Sequence, residues 1–260
     1  MRLATLAAAI AVVSLAPSSS AQTDPPYGGT IFLESDIVRP SDPSAFEGAT
    51  ATGRGARWVF DRRASAFVEI EAYLFDLTFC DGTVIEAQVN PEFGSQAAAQ
   101  AEAETYGFAV GQLAAALRRD VDALWIHKGV YPFGGGNRSL LIHTGQADRY
   151  VQDGILEETL IHEAVHTSLD ADHATSDGWT EAQAADGTSI SVYGRELPQG
   201  EDLAETFLPY LAVTYRADRV SQDYIDTVLE TIPNRIAYLD GQAFDLAPFC
   251  VGECIIVETD

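Results

Sequence analysis

The chain has 260 residues, 39 acidic against 15 basic, and a formal net charge of -24. Nucleic acid and anionic membranes carry the same sign, so the composition disfavours both as partners, and it suits a protein kept soluble in a salty medium. Three cysteines, Cys80, Cys250 and Cys254, are too few for a four-cysteine zinc knuckle.

Met1-Arg2 is followed by the apolar run LATLAAAIAVVSLA and then by PSSSAQ. A basic start, a short apolar stretch and small residues at Ser19 and Ala21 predict a signal peptide over residues 1–21. Export is therefore expected, to the periplasm or beyond the cell. No later stretch is apolar enough to span a bilayer, so a soluble mature chain and a monomer are expected. In an oxidising compartment three cysteines predict one disulfide and one thiol, with Cys80 paired to either C-terminal cysteine or those two paired to each other.

Residues 22–55 are rich in Pro, Gly, Ser and Asp and predict a loosely ordered lead-in, with one strand at TIFLES from Thr30. The folded domain is expected over residues 56–260. RWVF, AFVEIEAYLFDLTF and TVIEAQV are rich in β-branched and aromatic residues and predict strands, the last two joined at Asp81-Gly82. An alanine-rich helix is predicted from Ser95 to Asp120. Strands ALWIHKG and SLLIHTG follow, separated by the FGGGN loop, which reads as a lip over a cleft or a loose connection. A helix beginning near Asp153 is then followed by EDLAETFLPYLAVTYR and by SQDYIDTVLETIPNRIAYLDGQ, the latter bent at Pro233. Strands, helix, strands and then helices predict an α+β fold, its antiparallel or mixed sheet packed on the helix near Asp153 and followed by a helical C-terminal part.

That helix contains His162-Glu163-Ala164-Val165-His166. Residues four apart share a helix face, so both imidazoles can aim a ring nitrogen at one metal ion about 2 Å away. Glu163 lies one step round the helix, placed to miss the metal and to deprotonate a water bound to it. Catalytic zinc needs a third protein ligand and an open position. Asp172 or His173 would follow the metzincin pattern, but Leu169 stands where that pattern needs a glycine, and the only methionine is Met1. Gly187–Gly194 resembles the aspzincin pattern GTxDxxYG, yet Ile190 occupies its ligand position. Glu201 and Glu205 remain, four apart on a further predicted helix: one can take the metal while the other accepts a hydrogen bond from a ligating histidine.

VYGRELPQGEDLAETF, Val192–Phe207, resembles the Tyr-Gly-Arg and Glu-x-x-Ala-Glu-x-Phe segment of the anthrax lethal-factor catalytic domain family, a gluzincin-type group of HExxH zinc metallopeptidases. The resemblance covers residues 160–207. It implies a zincin-like fold, Glu201 as third ligand of one zinc ion with His162 and His166, Glu205 in support, and Tyr193 steadying the oxyanion of the transition state. The spacing from Tyr193 to Glu201 is eight positions, one longer than in the family pattern. The expectation is a secreted zinc peptidase acting on peptides or proteins. The alternative is a metal-holding extracellular domain that binds a protein partner without hydrolysing it; a calcium-binding envelope protein ranks last, for want of an Asp-x-Asp-x-Asp-Gly loop. His127 and His143 read as strand-end histidines paired with backbone or carboxylates, and His173 as a helix-end residue. Zincin-like enzymes hold peptide along a sheet edge, and SLLIHTG is the candidate edge.

Overall fold

The computed structural model describes residues 24–249. The expected signal peptide, Cys250 and Cys254 lie outside the described residues, and so do the expected cleavage and disulfide pairing. Among the described residues the chain is α+β, with ten α-helices and a six-stranded mixed sheet ordered β1-β2-β3-β4-β6-β5.

Strands β1 (Phe46–Asp61) and β2 (Ala66–Phe79) form a long antiparallel hairpin, and β3 (Val84–Val89) continues it through the turn at Asp81-Gly82, where Gly82 takes φ 83°. Strands β4 (Ala123–His127) and β6 (Ser139–His143) run parallel to β3, and β5 (Gly134–Gly136) pairs antiparallel with β6 at the edge. Alternate residues of a strand face opposite sides. Leu124, Ile126, Leu140 and Ile142 accordingly enter the main core, while Trp125 and Leu141 meet Val59 of the curled hairpin on the other face.

The alanine-rich stretch breaks after α1 (Gln96–Gly111) and resumes as the single turn α2 (Ala115–Arg118). Ser95 caps α1 by accepting from the Ala98 N–H. Next come α3 (Thr144–Asp153), ended by Gly154 in the left-handed conformation, and α4 (Leu156–Ser168), which carries the histidine pair. Short helices α5 (Asp170–His173), α6 (Asp177–Asp186) and α7 (Val192–Glu196) lead to α8 (Asp202–Tyr215). The last predicted helix is two, α9 (Gln222–Thr231) and α10 (Pro233–Asp240), because Pro233 starts a new helix at its first position.

Three expectations are corrected. TIFLES forms turns rather than a strand. The lead-in is not loosely attached: Thr30, Ile37, Val38 and Ala45 are buried, and residues 46–55 already belong to β1. FGGGN is not a loose connection: its glycines are edge strand β5, which borders the cleft described below and leaves SLLIHTG inside the sheet as β6. Hydrophobic patterning cannot show a strand with no side chains.

Candidate metal centre

The core side of α4 presents Leu160, Ile161, Ala164 and Val165, all buried, which fixes the rotation of the helix. His162 and His166 then share the face that meets the start of α8. His162 Nε2 lies 3.2 Å from Glu201 Oε2, His166 Nε2 lies 3.2 Å from the same oxygen, and the two Nε2 atoms are 3.3 Å apart. These three side chains could hold a metal ion, and they are the only such group among the described residues. Tetrahedral coordination with bonds of about 2.0–2.1 Å sets neighbouring donor atoms about 3.3–3.4 Å apart. The observed triangle fits that spacing, and two imidazoles with one carboxylate leave a fourth position open.

The surroundings hold these ligands in place. His166 Nδ1 lies 2.8 Å from Asp170 Oδ2, so the ring donates to the carboxylate and turns its Nε2 toward His162 and Glu201. The sequence reading missed Asp170, although its spacing of four from His166 is a usable signal. Glu205 Oε1 approaches His162 Nδ1 to 3.7 Å, too long for a hydrogen bond; Nδ1 and Glu205 Oε2 are both buried without a partner. Glu205 thus faces the expected histidine without bonding to it here. Burial raises its carboxyl pKa, against a bond from Ser191. Burial also opposes the charge of Glu201, yet bonds from both imidazoles and from Tyr193 outweigh it and hold the carboxyl well below the usual range. Burial likewise lowers His166, but Asp170 and Glu201 outweigh it and push the ring up to about 10.

Glu201 is placed by the residue after it. Asp202 is fully buried and accepts from Arg235 Nε at 2.8 Å, and Arg235 in turn bonds Asp186 at 2.9 Å. This network ties the start of α8 to α6 and α10. Gly194 closes against Asp202: a Cβ there would stand 3.2 Å from Asp202 Cα. The close approach brings Tyr193 beside Glu201, and its hydroxyl donates to Glu201 Oε1 at 2.8 Å. Burial, helped by that bond, raises the phenol to about 12.

A cleft of about 1000 Å³ opens over the triangle, lined among others by Glu163, Asp170, Tyr193 and the glycines of β5. Glu163 is half-buried within it. Residues Gly28–Phe32 of the lead-in form another wall. Tyr27 bridges to Ser191, the Val192 N–H donates to the Tyr27 carbonyl at 2.8 Å, and the Tyr193 N–H donates to Gly28 at 3.2 Å.

The remaining histidines lie apart from the metal centre. His127 and His143 stack at 5.4 Å on neighbouring strands; His127 Nδ1 accepts from Asn90 at 3.0 Å and His143 Nδ1 donates to the Lys128 carbonyl at 3.0 Å. His173 ends α5 and meets the Tyr238 hydroxyl at 2.8 Å. No protein-family model, curated protein or solved structure matches this chain.

Proposed function

We propose that the chain is an exported, zinc-dependent peptidase of zincin-like arrangement, with His162, His166 and Glu201 holding one zinc ion. The observation that carries this reading is the triangle of 3.2, 3.2 and 3.3 Å set in an open cleft beside Glu163. Two imidazoles and a carboxylate suit zinc among the divalent metals. Bound there, zinc would polarise a scissile carbonyl and acidify a water. Glu163 takes the proton of the attacking water and delivers it to the leaving amine. The Tyr193 hydroxyl, 42% of the residue being exposed to the cleft, turns from Glu201 to donate to the developing oxyanion. Peptide pairs with the outer edge of β5, a role the sequence reading gave to SLLIHTG. No helix among the described residues is long and apolar enough to cross a membrane.

The test is a pair of variants. Glu163→Gln keeps zinc and loses hydrolysis of a peptide panel, whereas His166→Ala loses both. A Glu163→Gln protein that still hydrolyses peptides overturns the role of Glu163. A zinc-loaded wild type that hydrolyses none of the panel favours the non-catalytic, partner-binding alternative.

A further inference from the structure

Because β5 is three glycines, no side chain of its own covers the sheet face turned away from α4. On that face the tip of the β1–β2 hairpin folds over β4 and β6 and encloses a second cavity of about 220 Å³, walled by Phe60, Phe67, Trp125 and Leu141 with the β5 glycines. Its aromatic walls meet edge to face, Phe60 to Phe67 at 5.4 Å and Phe67 to Trp125 at 5.8 Å. Phe67 remains 47% exposed.

The pocket continues the cleft, since Gly134, Gly135, Gly136 and Arg62 line both. Arg62 donates to the Phe133 carbonyl, just before β5. Its guanidinium stands where a side chain at Gly134 would go, 2.9 Å from the position of a Cβ there. A peptide paired to the outer edge of β5 alternates its side chains between the two faces. One set turns toward α4 and the metal centre. The other turns toward the aromatic pocket.

We propose that this pocket is a specificity subsite taking an aromatic side chain of the bound peptide. The inference rests on the peptidase reading and names its substrate class. The pocket has room for one ring, edge-to-face walls favour a further aromatic group over an aliphatic one, and the guanidinium at its mouth can lie over the ring face.

The test is direct binding, which needs no turnover. Fluorescein-labelled hexa-alanine peptides, each with a single Phe, Leu or Glu at one position, are titrated into the Glu163→Gln protein and followed by anisotropy. The Trp58→Phe background removes the exposed indole; Trp179, fully buried away from the pocket, gives a constant background, so a change in tryptophan emission reports on Trp125. One Phe register should bind about tenfold tighter than all-alanine peptide and shift that emission. Phe67→Ala should abolish the preference and Phe67→Tyr should retain it; Phe67 is half-exposed, so its truncation leaves the core intact. Equal or undetectable binding across the set, a stronger preference for Leu or Glu at that register, or a Phe preference that survives Phe67→Ala overturns the subsite. Failure of the peptidase reading is seen separately, as zinc-loaded wild type that cleaves none of these peptides.

Discussion

Gly135 lies directly against the main-chain carbonyl of Glu163, with no room for a side chain between edge strand and the helix that carries the histidine pair. Strand β5 is also hooked to α4 by the Gly136 N–H, which donates to Thr167 Oγ1 at 2.7 Å. A methyl group at Gly135 pushes β5 off α4. We expect Gly135→Ala to cost about 1–3 kcal/mol of stability, as overpacking does, and to weaken zinc binding. Denaturant titration and zinc titration check this; wild-type values in both would contradict it.

Asp170 orients His166 through the 2.8 Å bond to Nδ1. Asp170→Asn should leave the fold unchanged and lower zinc affinity about 10–100-fold, the usual effect of losing such a support. Competition against a chelator of known affinity measures it, and an unchanged affinity would remove Asp170 from the centre.

The convergence of the candidate ligands was partly legible in the sequence, for reasons of range. His162, Glu163 and His166 sit within one helical turn, so local periodicity places them together. Glu201 is thirty-five positions beyond His166, and no local rule brings it back; only the resemblance around Tyr193 separated it from Glu205. The hydrophobic runs of β2, β3, β4 and β6 were readable as strands, but of β1 only its last part, RWVF, since residues 46–55 are mostly small and polar. Strand β5 was not, since glycine carries no pattern and its position depends on contact with α4. The first part of the lead-in, residues 24–45, looked unstructured because it forms no helix or long strand; backbone bonds from Tyr27 and Gly28 to residues 191–193 hold it.

Those bonds seat Gly28–Phe32 as a wall of the cleft, and we expect the segment to stay in place in the working protein. A chain beginning at Leu33 should retain zinc yet lose at least about tenfold in kcat, because Tyr193 loses its placement. Active-site kinetics with parallel elemental analysis test this. A rise in activity on truncation would instead mark the segment as a propeptide.

Glu158 supplies a pH prediction. Burial raises its carboxyl to about 8, against a bond accepted from the Val38 N–H at 3.0 Å. The unfolded value is about 4.3, so the fold favours the protonated form. Its contribution to stability is complete below that value and is lost as pH rises through about 8. Glu158→Gln, neutral throughout, should therefore gain on the wild type by roughly 3–4 kcal/mol between about pH 5 and pH 8. Denaturant midpoints at the two pH values measure the difference, and parallel pH profiles would contradict it.

The convergence of Glu201 on the two imidazoles is tested most directly by metal content after dialysis against a weak chelator. Wild-type protein should carry one zinc ion per chain and Glu201→Ala should carry none, with both folded by circular dichroism. A folded Glu201→Ala protein that keeps the full wild-type zinc content would contradict the assignment.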